Sequence, residues 1–287
     1  MPRILPLALL SLGLTGCSAH ISESAFIAQD KAVSPYQDAE LNQWQARFPG
    51  KSLKRLQLTS QDQAAVLHGL LLDDPDSKEL IFFIPGNGMK VAKGGIEVME
   101  TLADLGRDVA IFDRRGLGAS TGKATVANQI SDAVQQYHYL RRELEPSFVT
   151  VHGFSLGSFV AGQLAKRQDV DALVLQGSAT NVDDWIDEST PWFMKPFLTV
   201  EVDEAFRGVD NQQVVARDYD GPLLVIGGEQ DEQVPVVLSQ RLFEASRSSQ
   251  KQLLIVQGAG HGNMLEGKEE LSRYRAFLDK LGGGVER

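Results

Sequence analysis

One serine of this chain stands in the sequence pattern of an enzymatic nucleophile. Ser155 lies between Gly153 and Gly157 in the segment GFSLG, directly after the strand-forming run FVTVHG at residues 148–153. A helical pattern begins at the next residue, Leu156. Glycines at a strand end indicate a bend that other residues cannot make. A strand, a sharp turn and a helix around Gly-x-Ser-x-Gly are typical of a nucleophile elbow, so Ser155 is the candidate nucleophile.

A serine hydroxyl is a weak nucleophile until a base takes its proton, and the base needs an acid that holds its tautomer. His261 follows the last predicted strand in the glycine-rich segment GAGHGN, where an imidazole can hang over the sheet edge. The other histidines lie in the N-terminal segment, the first strand pair, a helix and the strand before the serine: His20, His68, His138 and His152. His261 is therefore the predicted base.

The acid is expected between the serine and the histidine, because an elbow site of this kind has the chain order serine, acid, histidine. Asp231 lies in the loop after the predicted strand at residues 222–228 and is the predicted acid. Four other carboxylates remain alternatives: Glu229, Glu232, Asp183 and Asp184.

The elements that position these residues alternate along the chain. Strands are predicted at residues 53–59, 65–72, 79–86, 108–113, 148–153, 171–177, 222–228 and 252–258. Helices are predicted at residues 96–106, 126–144, 156–168, 235–246 and 271–282. The central strands are continuously apolar, which indicates burial on both faces. We predict an α/β fold with a mostly parallel, doubly wound sheet of about eight strands, helices on both faces and an antiparallel opening pair.

A long connection at about residues 179–217 interrupts this alternation. Connections of such length tend to be functional lids or binding loops, so we predict a short lid insertion. Its aromatic side chains either line a substrate pocket or anchor the insertion to the sheet edge. The candidates for the pocket are Trp185, Trp192, Phe193 and Phe197.

The composition of the 287 residues excludes some classes of partner. The chain is 43% hydrophobic and 23% charged, as in globular proteins, and its net charge is −10. An acidic surface repels phosphate backbones and the sequence has no basic run, so nucleic-acid binding is not expected. The proposed chemistry needs no metal and no cofactor. The sequence leaves the oligomeric state open.

The first 16 residues have the pattern of a signal peptide. Arg3 precedes an apolar run at residues 4–14, which is too short to span a bilayer but suits a signal-peptide core. The single cysteine, Cys17, ends the segment LTGC, which resembles a bacterial lipobox. The resemblance implies cleavage before Cys17, lipid attachment there and a membrane anchor in the cell envelope. The residue after the cysteine is Ser18, as in the pattern of lipoproteins that are sent to the outer membrane, where the protein would face the periplasm. An ordinary secretory signal remains the alternative.

The remaining chain divides in two. Residues 17–50 are polar and weakly patterned, and we predict a tether that ends in a packed segment near Trp44 and Phe48. Residues 51–287 form the predicted domain with its lid insertion.

From about residue 53 to residue 281 the chain resembles the α/β-hydrolase superfamily. Three segments carry this resemblance, each after its expected strand: GFSLG, GGEQDEQVP at 227–235 and GAGHGN at 258–263. The segment FFIPGNG resembles the loop after the third strand, with Pro85 in place of the usual histidine. FDRRGLGASTG resembles the stretch after the fourth strand of Bem46-like serine hydrolases.

The resemblance implies an α/β-hydrolase fold and a serine hydrolase that cleaves a carboxylic ester or thioester through an acyl-enzyme intermediate. The backbone N–H groups of Asn87 and Leu156 would form the oxyanion hole, while Arg114 and Arg115 would brace the loop beside it. The expected substrate is a small acyl ester or a lipid-like molecule. The alternative is a catalytically idle lipoprotein of this fold that acts as a binding or assembly protein in the envelope.

Overall fold

Strands and helices alternate through the described part of the chain, residues 17–282 of a computed structural model; the predicted signal peptide lies outside it. The strands are β1 (Cys17–Ile21), β2 (Ser52–Thr59), β3 (Val66–Asp73), β4 (Glu79–Ile84), β5 (Asp108–Phe112), β6 (Phe148–Phe154), β7 (Ala172–Gln176), β8 (Leu198–Val202), β9 (Leu223–Gly228) and β10 (Lys251–Val256). The α-helices are α1 (Glu23–Phe26), α2 (Asp38–Gln45), α3 (Gly95–Ala103), α4 (Val126–Leu144), α5 (Leu156–Arg167), α6 (Val182–Ser189), α7 (Glu204–Arg207), α8 (Asn211–Gln213), α9 (Val236–Ala245) and α10 (Lys268–Gly282). Within these residues, no helix combines the length and the apolar composition that crossing a membrane requires.

Eight strands form one sheet in the order β10-β9-β7-β6-β4-β5-β3-β2. The β3 strand is antiparallel to both β2 and β5, and the other neighbours are parallel. Each predicted strand and helix is present, with ends that differ by a few residues. The predicted fold class is therefore confirmed. The carboxyl ends of the parallel strands meet at one edge of the sheet, where a doubly wound fold places its ligand site.

The sheet separates two hydrophobic cores. On one face, side chains such as Leu71 and Phe82 pack with α4, α5 and α9. On the other face, side chains such as Ile81 and Ile111 pack with α3 and α10. Because successive strand residues point to opposite faces, continuously apolar strands supply both cores at once.

The insertion between β7 and β9 has its own secondary structure. It contains α6, a 3₁₀ turn at Lys195–Phe197, β8, α7, α8 and a π-helical turn at Val214–Asp218. The β8 strand pairs in parallel with β1, from Cys17 opposite Leu198 to Ile21 opposite Val202. This second sheet joins the start of the described chain to the insertion.

The prediction of a tether is wrong for the first part of residues 17–50. Ile27 is buried, and the backbone N–H of Asp30 donates a hydrogen bond of 2.9 Å to the carbonyl oxygen of Gly116. We call residues 17–35 the N-terminal strap. The strap has no periodic apolar pattern because its partners are loops at the sheet edge. The later part is packed as predicted, through α2.

Candidate active site

The turn that carries Ser155 is as tight as its two glycines predict. Ser155 lies between β6 and α5 with a φ of 54° and a ψ of −124°, a strained conformation for a residue with a Cβ atom. A Cβ atom on Gly153 would lie 2.6 Å from the carbonyl oxygen of Gly157. One on Gly157 would lie 2.1 Å from the carbonyl oxygen of Ile84. The close approach of three backbone segments therefore excludes side chains here and presents the serine at the sheet edge.

The structure brings Ser155, His261 and Asp231 together from three strand ends. They follow β6, β10 and β9, respectively. His261 Nε2 lies 2.8 Å from Ser155 Oγ, and His261 Nδ1 lies 2.7 Å from Asp231 Oδ2. An ionised carboxylate only accepts hydrogen bonds, so Nδ1 carries the proton and Nε2 is free to accept the serine O–H. This arrangement allows the imidazole to take the hydroxyl proton.

Asp231 is fixed on both of its carboxylate oxygens. The backbone N–H groups of Gln233 and Val234 each donate a hydrogen bond of 2.9 Å to Oδ1, while Oδ2 accepts from His261. The Asp231 side chain is almost fully buried. These contacts hold the carboxylate in one orientation toward the imidazole.

The alternative carboxylates do not contact the histidine. Glu229 accepts a hydrogen bond from the backbone of Gly258, and Asp184 accepts one from the Thr180 hydroxyl. Asp183 pairs with an arginine of the insertion, and Glu232 lies at the cavity wall. Across residues 17–282, no group of three or more histidine, cysteine or acidic side chains is arranged to hold a metal ion.

Two neighbours that no sequence motif marks shape the histidine pocket. The Phe154 ring lies against the His261 imidazole, with ring centroids 5.0 Å apart. Gly177, at the end of β7, has a φ of 56°, and a Cβ atom there would lie 3.1 Å from Cε1 of His261. The only sequence signal for this role is the glycine that ends the run ALVLQG. The imidazole therefore occupies space that a larger residue at position 177 would restrict.

The other histidine near the elbow points elsewhere. His152 is fully buried beneath the sheet edge, where its Nε2 lies 2.9 Å from Gln176 Oε1 and its ring packs against Tyr274. Burial lowers the pKa of His152 to about 3, so its imidazole is neutral.

The loop at residues 85–88 comes directly over the serine, and we call it the oxyanion loop. A Cβ atom on Gly86 would lie 3.1 Å from the Cβ atom of Ser155. The predicted donors, Asn87 and Leu156, both line the cavity that Ser155 opens into. Their backbone N–H groups have no partner among residues 17–282, and Leu156 is the first residue of α5. Free N–H groups at a helix start suit a developing negative charge.

The side chain of Asn87 ties the oxyanion loop to the N-terminal strap. Its Oδ1 accepts a hydrogen bond of 2.9 Å from the backbone N–H of Ala28, and its Nδ2 donates one of 2.7 Å to the carbonyl oxygen of Phe26. This pair of bonds holds the loop in which Pro85 replaces the expected histidine. Nothing in the sequence pattern identified this contact.

The strap is held at several further points along the sheet edge. The carboxylate of Asp30 accepts a hydrogen bond of 2.8 Å from the backbone N–H of Gly118 and binds the Lys90 ammonium at 3.0 Å. The Gly118 N–H, assisted by Lys90, lowers the pKa of Asp30. Glu23 accepts a hydrogen bond of 2.6 Å from the first N–H of α4, at Val126. These contacts make the strap one wall of the site.

Arg114 and Arg115 brace their loop in different ways. Arg115 binds the carboxylates of Asp62 and Asp132 and does not line the cavity. Arg114 is buried and donates a hydrogen bond of 2.8 Å to Gln129, a residue of the cavity wall. Burial lowers the pKa of Arg114 to about 10. Both guanidinium groups therefore tie their loop to α4, through Gln129 and Asp132, which agrees with the predicted bracing role.

A cavity of about 460 Å³ opens from Ser155 and His261. Its walls come from the strap, from α4 and α5 and from the insertion, and most of the lining side chains are apolar. The apolar lining residues are Ile21, Phe26, Ile27, Val126, Ile130, Leu156, Phe159, Val160, Ala179, Val182, Trp185, Phe206, Val209 and Val234. Such a volume and lining are typical of a small-molecule site.

Of the four aromatic residues proposed for the pocket, one lines the cavity and three do not. Trp185 lines the cavity, and its indole N–H donates a hydrogen bond of 2.8 Å to the carbonyl oxygen of Gln233. The prediction is wrong for Trp192, Phe193 and Phe197, which lie outside the cavity with exposed side chains. The reason is that α6 ends before them and the following turns leave the cavity wall.

Comparison with known sequences finds similarity to proteins of the alpha/beta hydrolase fold. Residues 79–203 match a family model described as alpha/beta hydrolase fold. An uncharacterized protein of Mycobacterium tuberculosis is 31% identical over 186 residues, which cover 63% of either chain. The lysophosphatidylserine lipase ABHD12 of Danio rerio is 27% identical over 187 residues, which cover 60% of this chain and 48% of the lipase. The chain thus spans less than two thirds of the length of these relatives.

Solved structures share the fold. The esterase Pf2001 of Pyrococcus furiosus superposes with a TM-score of 0.68, covering 88% of this chain and 99% of that chain at 20% identity. The alpha/beta hydrolase GrgF from Penicillium superposes with a TM-score of 0.64, covering 80% of this chain and 98% of that chain at 17% identity. At such identities the likeness shows the fold alone.

Proposed function

We propose that this chain, which has the α/β-hydrolase fold, is a serine hydrolase that cleaves a carboxylic ester or thioester. The observation that carries the proposal is the hydrogen-bonded series from Asp231 through His261 to Ser155, which ends at the floor of an apolar cavity. A nucleophile, its base and the group that orients the base are the parts that acyl transfer needs.

In the first half of the reaction, Ser155 Oγ attacks the acyl carbonyl carbon while its proton passes to Nε2 of His261. Asp231 stabilises the imidazolium that forms. The carbonyl oxygen becomes an oxyanion and accepts hydrogen bonds from the N–H groups of Asn87 and Leu156, each worth about 3 kcal/mol. The leaving alcohol or thiol then takes the proton from Nε2, and the acyl group stays on Ser155.

In the second half, a water molecule replaces the leaving group. His261 accepts a proton from this water as its oxygen attacks the acyl carbon, and the same two N–H groups bind the new oxyanion. Collapse of this intermediate returns the proton to Ser155 Oγ and releases the carboxylic acid. The scheme uses no cofactor.

The proposed substrate is an acyl ester of lipid-like character. The apolar walls, including Ile130, Trp185 and Phe206, suit an acyl or aryl group. Polar residues also line the cavity, among them Gln129 and Glu232. Relatives named as lysophosphatidylserine lipases favour this class of substrate.

We also infer that the protein is a lipoprotein of the bacterial cell envelope. Residues 1–16 act as the signal peptide, Cys17 carries the lipid, and the domain at residues 51–287 faces the periplasm from the outer membrane. The LTGC segment and the single cysteine support this inference. Mass spectrometry of the mature N-terminal peptide tests it. We expect a lipidated Cys17 as the first residue and an uncleaved chain after Cys17→Ser.

Labelling with a fluorophosphonate probe tests the catalytic proposal. The probe reacts with activated serines, so we expect labelling of the unmutated protein and none after Ser155→Ala or His261→Ala. Exposed residues of the same types supply matched controls, Ser249→Ala and His138→Ala, which should label like the unmutated protein. A short-chain acyl ester panel then measures turnover.

An unmutated protein that is folded but does not label would overturn the proposal. The idle envelope protein of the same fold would then be the better interpretation. Labelling that persists after Ser155→Ala would move the nucleophile to another serine.

A further inference from the structure

The tip of the insertion carries a cluster of exposed apolar side chains. The exposed fractions are 82% for Trp192, 58% for Phe193, 50% for Phe197 and 44% for Met194. Among the described residues, Val33 is the only other large apolar residue with comparable exposure. We call residues 192–197 the aromatic tip. Soluble monomers rarely collect large apolar side chains at one place unless another surface covers them.

Local hydrogen bonds hold the aromatic tip in its exposed shape. The backbone N–H of Met194 donates a hydrogen bond of 2.8 Å to the carbonyl oxygen of Pro191. The backbone N–H of Phe197 donates one of 2.9 Å to the carbonyl oxygen of Met194. The rings of Trp192 and Phe193 pack edge to face, with centroids 6.0 Å apart. The turn therefore presents these rings outward, away from the hydrophobic cores.

The aromatic tip lies beside the start of the strap. It ends at Phe197, and the next residue, Leu198, pairs with Cys17 in the β1–β8 sheet. Neighbouring strands are about 4.8 Å apart, so the tip is adjacent to the chain position that carries the lipid in the proposed function. A lipid at Cys17 would hold this end of the insertion against a bilayer.

We propose that the aromatic tip is a membrane-docking surface that inserts into the bilayer leaflet holding the lipid on Cys17. The proposal rests on the lipid attachment inferred above. Tryptophan rings favour the boundary between headgroups and acyl chains, and amphipathic surfaces settle about 5–10 Å into it. The partner is a lipid surface, and the driving force is burial of apolar area.

The charges around the tip favour apolar insertion over attraction to anionic headgroups. Lys195 is the cation of the tip, and its ammonium is paired with Asp187 at 2.5 Å. Two acidic residues are close in sequence: Glu201 lies in β8, and Asp203 directly follows it. The whole chain has a net charge of −10. Docking should therefore occur on neutral lipid and change little with salt concentration.

Docking at the tip places the cavity beside the bilayer. The α6 helix leads into the tip and contributes Val182, Trp185 and Ser189 to the cavity wall, while β1 contributes Ile21. A lipid-like ester would then have a short path from the leaflet to Ser155. The docking surface thus selects for esters that reside in a membrane.

Quenching of tryptophan fluorescence by brominated lipid measures the insertion directly. The mature lipidated protein is reconstituted in phosphatidylcholine vesicles with bromines at stated depths. A Trp44→Phe, Trp185→Phe variant leaves Trp192 alone, and a Trp185→Phe, Trp192→Phe variant leaves Trp44 alone as the matched control. We expect strong quenching of Trp192, greatest with bromines near the headgroup boundary, and little quenching of Trp44. Equal quenching of the two would overturn the proposal.

A second experiment separates docking from catalysis. In Trp192→Ser, Phe193→Ser, Phe197→Ser, we expect fluorophosphonate labelling and hydrolysis of a soluble short-chain ester to stay unchanged. Hydrolysis of a long-chain ester in vesicles should fall by about tenfold or more, because apolar burial drives the docking. An equal loss of hydrolysis on both substrates would indicate that the tip acts at the cavity, and it would overturn the docking proposal. Quenching does not depend on turnover, so an inactive protein that docks refutes only the proposed function.

Discussion

Asn87 Oδ1 accepts a hydrogen bond of 2.9 Å from the backbone N–H of Ala28, across 59 residues of sequence. With the bond from Asn87 Nδ2 to Phe26, this contact joins the N-terminal strap to the oxyanion loop. The same strap supplies Ile27 to the cavity wall. A segment without a sequence pattern is therefore part of the candidate site.

Replacing Asn87 by Ala should slow turnover without unfolding the protein. The backbone N–H at position 87 remains, but the loop loses both bonds to the strap and the donor moves from the oxyanion position. Misplacement of this kind costs about 10- to 100-fold in rate, so we expect kcat to fall by that factor and KM to change less. Steady-state kinetics on a soluble ester measure both constants. Asn42→Ala, an exposed asparagine of α2, is the control, and an unaltered kcat for Asn87→Ala would contradict the role.

Replacing Ser155 by Gly should stabilise the fold while abolishing activity. Glycine adopts a φ of 54° without the strain that a Cβ atom causes, which is about 1–3 kcal/mol at such positions. The greater conformational freedom of glycine in the unfolded chain offsets about 0.4–1 kcal/mol of this gain in stability. We expect Ser155→Gly to exceed Ser155→Ala by about 1 kcal/mol in the free energy of unfolding. Urea unfolding compares the two, and equal stabilities would show that the turn stores no strain.

Replacing Asp231 by Asn should abolish most of the turnover while the fold is kept. An amide at this position no longer stabilises the imidazolium or holds Nδ1 as the donor, and loss of this orientation costs about 10⁴-fold in kcat. Glu229→Gln changes another carboxylate that follows β9 and should keep activity. Fluorophosphonate labelling rates and kcat measure both variants. If Glu229→Gln were the inactive one, the assignment of the acid would be wrong.

Asp108 should make the stability depend on pH. Its carboxylate accepts a hydrogen bond from the Asp74 backbone, and burial raises its pKa from 3.8 to about 6. Between these values the folded state keeps a proton that the unfolded chain releases, so stability falls as the pH rises through this window. Asp108→Asn retains an oxygen acceptor but has no charge to bury. It should be more stable than the unmutated protein above pH 6 by about 1 kcal/mol. The gain is this small because solvent screens the charge of a partly exposed carboxylate.

Thermal unfolding at a series of pH values tests this expectation. The difference between Asp108→Asn and the unmutated protein should grow from pH 4 to pH 6 and then level off. Glu244→Gln, an exposed carboxylate on α9, should show no such difference. A pH-independent gap for Asp108→Asn would indicate a packing effect.

Local sequence patterns predicted most of the fold. The apolar runs of the central strands predicted a sheet buried on both faces, and the helical patterns between them predicted the covering layers. The chain order of Ser155, Asp231 and His261 predicted which side chains meet, because the ends of parallel strands share one edge of the sheet. For the acid, sequence left neighbouring carboxylates open, and only the contact between Asp231 and His261 separated them.

By itself, the sequence determined the tight turn at Ser155, the candidate partner His261 and the sheet that positions them, because each depends on residue types at short, regular spacing. Only the tertiary structure decided where the strap lies and which tryptophan reaches the cavity. The bond at Ala28 uses a backbone N–H that any residue except proline supplies, so no residue type signals it. Trp185 lies within α6 and Trp192 lies just after its end, and long-range packing sets the direction in which each side chain points.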